Sequence, residues 1–236
     1  MEYGKNIKYI NIIIDKAREN VIDAINLQKK GEIRHSKEAL FVANTLFDPL
    51  GEIIGSIEII DLIPTFFKTF PYKRSGMSKA RYLQYHIGNY FVEIGNLNYR
   101  LELYAGKIKN AYGKIAKNKK NIELIAKTLQ KYRKTVFKGL IDIRDSHVHK
   151  FRYTDKEIDR LLELELIAKY ADKSKRDILL KVQHENAFKK IRKKWNSLIK
   201  ENDVQIEQTL DFYFETLLKI VAPKGSIIYP FNNKKS

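Results

Sequence analysis

The stretch SKARYLQYHIGNYFVEIGNLNYRLELYAGKIKN, residues 78–110, decides the fold. Leu83, Ile87, Tyr90, Ile94, Leu97, Leu101 and Tyr104 recur at steps of 4 and 3, which is the period of one helix face. A second apolar row, Tyr82, Phe91 and Leu103, widens that face, as expected of a central helix in a bundle. Gly88 and Gly95 fall together on another line and leave room for a neighbouring helix to approach closely. The spacing predicts one long helix from Ser78 to about Asn110.

Working outward, the same period recurs on both sides. After the polar run 117–121, a helix from about Ile122 to Ser146 carries Ile122, Ile125, Leu129, Tyr132, Val136, Leu140 and Ile143. Thr154 and Glu157 make a capping box for a fifth helix, bearing Ile158, Leu161, Leu162, Leu164, Leu166 and Ala168. A helix over about 175–201 uses Leu180, Ala187, Phe188, Ile191, Trp195 and Leu198, and a last one over 204–222 is ended by Pro223. Upstream, Ile7, Ile10, Ile14, Ala17, Val21 and Ala24 form one amphipathic stripe closed near Gly31. Ser36 fits the cap of a short helix that Asp48-Pro49 would stop. Residues 52–63 read as a short buried helix, and Pro64 and Pro71 bracket a Phe-rich connection. The expected fold is all-α: an up-and-down helical bundle over 77–222, an N-terminal helical region over 1–76 packing on it, and a tail at 223–236.

Composition narrows the chemistry. A chain of 236 residues, 44% hydrophobic and 31% charged, can bury a core and is not disordered by composition. With no cysteine there is no disulfide scaffold, no thiol nucleophile and no thiolate-ligated metal. Lys and Arg total 45 against 28 Asp and Glu, a formal +17, which attracts polyanions, chiefly nucleic acid or an anionic membrane surface. The same charge also suits lysines solvated on every helix. No secretory leader is visible in residues 1–20, and the longest apolar region, 53–70, is interrupted by Glu58, Asp61, Pro64 and Lys68. A soluble, cytoplasmic protein with no membrane partner is expected.

Most catalytic patterns are missing: no Gly-rich phosphate loop, no G-x-S-x-G, and no carboxylate spaced to complete a metal site with His147 and His149. No metal or other cofactor is expected. The remaining candidate is Ile143-Arg144-Asp145-Ser146-His147-Val148-His149, an R-x4-H pattern with a polar residue directly after the Arg. It resembles the signature of the HEPN superfamily of helical nucleotide-binding and RNA-cleaving domains. The resemblance covers about Ser78 to Val221, and the continuation HKFRYTDKE is similar to a bacterial HEPN branch of unknown function often found with defence systems. A second match, Arg81 to His86, sits inside a regular helix beside core residues and reads as structural.

The resemblance implies a metal-independent endoribonuclease in a bacterial defence or toxin–antitoxin setting. Its domains pair so that two motifs line one cleft, with Arg144 and His149 catalytic, Asp145 the polar motif residue and a homodimer as the active form. The residue types suit that chemistry. Attack by a 2′-hydroxyl needs a group titrating near neutrality to move protons, and imidazole does so. A guanidinium offers two directed donors where the phosphorane gathers charge. The products would be a 2′,3′-cyclic phosphate and a 5′-hydroxyl. In an unbroken helix five residues turn about 500°, which leaves Arg144 and His149 about 140° apart. Either the helix unwinds before His149, or the two groups meet across a dimer. His147 competes with His149, as a second imidazole in the cleft or as a capping histidine. Some relatives carry a Tyr two residues after the His as a target for nucleotidylation by a paired antitoxin; here that position is Phe151. Phe151, Arg152 and Tyr153 combine ring and charge for contact with RNA. Lys189, Lys190, Lys193 and Lys194 form a second basic strip, either an RNA contact or a solvated face, with Ile191 and Trp195 inward. The alternative function is a non-catalytic helical module that binds RNA or a protein partner.

Overall fold

The computed structural model describes residues 8–29, 36–68, 78–113, 119–149, 155–170 and 176–231; for residues 29, 144, 146–149 and 176–179 it describes the backbone alone. The protein is all-α, with no strand among the described residues. Its helices are α1 (Lys8–Lys29), α2 (Lys37–Phe41), α3 (Asp48–Lys68), α4 (Lys79–Tyr112), α5 (Lys119–His149), α6 (Lys156–Tyr170) and α7 (Arg176–Val221). A π-helical segment, Val42–Phe47, joins α2 to α3 without a break.

At three places the chain stays helical where the sequence pattern predicts a break. Asp48-Pro49 does not stop the chain: α3 follows directly on the π segment, and the helical ladder gives up the one bond that Pro49 has no N–H to make. A regular turn would press its ring on the Thr45 carbonyl; the wide π turn just before it, in which the Asp48 N–H reaches Ala43, relieves that contact. Pro64 likewise lies inside α3. The two expected C-terminal helices are one helix of 46 residues, since neither Asn202 nor Asp203 is a breaker when flanked by strong helix formers. The helix-start signals fare better. Ser36 Oγ accepts the Ala39 N–H at 3.0 Å, and Ser78 Oγ accepts that of Arg81 at 3.0 Å. For α6 the cap is Asp155, whose Oδ1 accepts the Glu157 N–H at 2.8 Å. Thr154 of the expected capping box lies outside the described residues, as do Gly31 and the expected boundary at residues 76 and 77.

The chain divides into two compact units, Met1–Ser56 with Leu97–Phe137 and Ile206–Ser236, and Ile57–Asn96 with Lys138–Gln205. The first unit is built on buried tyrosines. Tyr9 and Tyr104 share a hydroxyl hydrogen bond of 2.6 Å, Tyr9 stacks on Phe214 at 5.5 Å, and the Tyr213 hydroxyl donates to the Leu101 carbonyl. Burial pushes the Tyr9, Tyr104 and Tyr213 hydroxyls far above the usual phenol range. The tail after Pro223 belongs to this core. The Ile228 N–H returns to the Val221 carbonyl at 2.9 Å, and Tyr229 and Phe231 pack edge-on against Phe41.

The second unit buries Ile57, Ile60, Ile63 and Phe67 of α3 with Leu83, Ile87 and Phe91 of α4 and Phe188, Ile191 and Trp195 of α7. Phe91 and Trp195 meet edge to face at 6.0 Å. A polar knot ties α4, α6 and α7. Glu165 accepts the Ala80 N–H at 3.2 Å and pairs with His184 Nε2 at 3.0 Å, while Lys79 pairs with Glu185.

Candidate nucleic-acid interface

The helix that carries the sequence motif, α5, keeps a buried and an exposed face. In the first unit its buried line is Ile122, Leu129, Arg133 and Phe137. The expected stripe used Ile125, Tyr132 and Val136 instead, and these are only half-buried. The difference comes from Arg133, a charged residue in the inward line that an apolar reading passes over. Its side chain is 5% exposed and pairs with Glu102 at 2.9 Å; it also donates to the Asn98 carbonyl at 3.2 Å and to the Asn98 side chain. A guanidinium so satisfied can be buried where an unpaired one could not.

On the opposite side of this part of α5, Lys120, Lys127, Lys131 and Lys134 are exposed. They follow steps of 7, 4 and 3 and so lie along one line of the helix. At 1.5 Å per residue the line is about 21 Å long. Among the described residues none of the four has an acidic partner. The neighbouring hydroxyls are turned inward to the backbone, Thr128 to the Leu124 carbonyl and Thr135 to the Lys131 carbonyl, each at 3.0 Å. A row of unpaired ammonium groups at helical pitch is suited to a phosphate chain, to which each lysine presents a point charge. Sequence reading of α5 for its apolar period passes over this line, although the spacing of its lysines is visible once the helix phase is fixed.

The second basic strip is half engaged. Lys194 pairs with Glu157 at 2.5 Å and with Asp155 at 3.6 Å, and Lys190 pairs with Glu157 at 3.2 Å. The hydrogen bond to Lys194 holds the Glu157 carboxyl below the usual range, and the same bond raises the Lys194 ammonium. Those lysines serve to close the start of α6 on α7. Lys189 and Lys193 are exposed and have no acidic partner among the described residues, and Ile191 and Trp195 are buried as expected.

The motif residues Arg144, His147 and His149 lie in the last turns of α5, which is helical to His149. Their side chains, together with Phe151, Arg152 and Tyr153, are outside the described ones. Asp145 is exposed. The helix does not unwind before His149, so the backbone places positions 144 and 149 about 140° apart around its axis. Position 149 continues the line of exposed Lys138, Asp142 and Asp145, whereas position 144 follows half-buried Leu140. One copy of the helix does not bring the two positions onto a common face. No protein-family model, no curated protein and no solved structure matches this chain.

The second R-x4-H match has a structural explanation. His86 stacks on Phe66 with ring centroids 4.9 Å apart, and Tyr82 meets its edge at 4.4 Å. Burial lowers the affinity of this imidazole for a proton. Among the described residues no three His, Asp or Glu side chains converge to hold a metal ion, and no helix is long and apolar enough to cross a membrane.

Proposed function

We propose that this chain binds RNA along the lysine line of the first unit and, as a homodimer, cleaves it without a metal with Arg144 and His149, as its resemblance to HEPN domains implies. The observation that carries the reading is the exposed row Lys120, Lys127, Lys131 and Lys134 of the first unit, none of which has an acidic partner among the described residues. Bound phosphates displace counterions from such a row, so affinity is gained without sequence preference. In a paired active site, Arg144 of one copy holds the charge that builds on the phosphorane and His149 moves the proton of the 2′-hydroxyl.

A second reading, a module that binds RNA without cleaving it, is favoured by one observation. Positions 144 and 149 lie about 140° apart on an unbroken helix, so a single chain does not assemble the pair. Single-turnover cleavage and binding across a salt series decide between the two. Arg144→Ala should weaken binding by no more than about 1–3 kcal/mol, one charged contact, and lower cleavage much further. Cleavage should persist in EDTA. Replacing Lys120, Lys127, Lys131 and Lys134 by Ala should flatten the salt slope by about 0.7 for each phosphate that is no longer neutralised. Unchanged cleavage by Arg144→Ala at saturating RNA removes the nuclease reading, and an unchanged salt slope in the lysine variant removes the binding surface.

A further inference from the structure

Beside the lysine line, α4 and α5 of the first unit stand apart over a cavity of about 170 Å³. Small residues make the opening: Ala105 and Gly106 on α4 face Ala126 on α5. A Cβ at Gly106 would meet nothing within 4 Å, so packing does not demand glycine there. In the middle of a helix glycine costs about 1 kcal/mol against alanine, and what it leaves here is open space.

Polar groups converge on that space from two sides. Lys109 and Lys127 line it as exposed, unpaired cations among the described residues. Arg133, held by Glu102 and Asn98, lines it as a buried cation, and Gln130 adds an amide that can both donate and accept. With Glu102 already answered by Arg133, the local balance favours an anion. The volume suggests the size of the rest: an apolar cavity of about 150 Å³ holds benzene, and the space here matches one six-membered ring.

We propose that this cavity is a subsite for one pyrimidine nucleotide, its ring between Gly106 and Ala126 against the Gln130 amide and its phosphate between Lys109 and Lys127. The inference rests on the RNA reading and narrows it. The lysine line binds any strand, and this pocket selects where a uridine or cytidine is seated. A purine is larger than that space, and overpacking is penalised.

Titrations of the full chain with uridine monophosphate, adenosine monophosphate and inorganic phosphate, beside oligo(U) and oligo(A) over a salt series, test it. Uridine monophosphate should bind about tenfold more tightly than the adenine nucleotide, the scale of a size-based pocket, and more tightly than phosphate. Gly106→Leu should remove that preference, with the thermal midpoint measured beside it. Ala126→Leu closes the cavity from the other wall and guards against a folding defect in the first variant. The preference of oligo(U) over oligo(A) should vanish in both variants while the salt slope stays. Equal binding of both mononucleotides, no binding of uridine monophosphate at millimolar concentration, or full binding by both leucine variants overturns the pocket. Oligonucleotide binding with a normal salt slope but no base preference sinks the pocket and leaves the RNA reading standing. Binding of uridine monophosphate with no binding of either strand keeps the pocket, as a site for free nucleotides, and sinks the RNA reading.

Discussion

Arg133 shows how a charged residue can belong to a core. It is 5% exposed, while its partner Glu102 is 47% exposed, so the two ends of the pair are not equivalent. Arg133→Met should cost about 2 kcal/mol, because the Asn98 carbonyl and side chain lose their donor while Glu102 stays half solvated, and Glu102→Gln should cost more, about 3 kcal/mol, because it leaves the buried guanidinium charge unpaired. Urea unfolding of the two variants checks the order. Glu165 gives a pH dependence. Burial opposes its charge, but bonds from His184, Ser78 and the Ala80 N–H outweigh burial and leave its carboxyl below the usual range. A depressed carboxyl stabilises the fold above its unfolded value and loses that contribution as pH falls through the folded value. Glu165→Gln should therefore flatten the acid side of a plot of thermal midpoint against pH below about 4.5, the ordinary carboxyl value, and leave the neutral region parallel to wild type. An acid limb as steep in the variant as in the wild type would show that other carboxylates carry it.

At the scale of the element, α7 offers a direct test of continuity. Val204 is 53% exposed and lies where a separate last helix would start. Proline is harmless in a first turn but costs about 3 kcal/mol within a helix. Val204→Pro should thus destabilise by about that amount, and a loss near zero would restore two helices. Gly139, inside α5, has open space around its Cβ, so Gly139→Ala should stabilise by about 0.5–1 kcal/mol, read from the urea midpoint. Most helices and several of their starts were legible in the sequence, and their stops were not. The 4,3 spacing of α4 marks it from end to end, and Ser36 and Ser78 mark helix starts by chemistry that needs only three residues. Pro49 and Pro64 misled, because whether proline breaks a helix depends on its turn and on the preceding carbonyl, which a π turn can move. The candidate site was legible only as residue types. Spacing showed that positions 144 and 149 diverge on a helix, but not that α5 stays helical to His149. The lysine line and the cavity needed burial to be seen.

At the scale of the molecule, both units draw on distant stretches of chain. The first joins Tyr9 of α1 to Tyr104 and to Phe214, and the second joins α3 to residues as late as Gln205. A fragment of residues 77–222, the bundle as the sequence delimits it, lacks Tyr9, which Tyr104 and Phe214 both contact in the first unit, and the whole α3 share of the second. That fragment should lose cooperative unfolding, seen as a broad urea transition and poor amide dispersion; a sharp transition would show that residues 1–76 are an accessory.

The lone tryptophan has a use of its own. Trp195 is 5% exposed and edge-on to Phe91 within the second unit, while the interlocked tyrosines Tyr9, Tyr104 and Tyr213 belong to the first. Emission excited at the red edge of the absorption band comes from the indole alone and reports one unit, and the near-ultraviolet dichroism of the stacked phenols is weighted towards the other. The chain therefore carries a built-in optical reporter in each unit. Overlaying the two signals along a denaturant gradient reveals, without any label, whether the units melt together or in succession.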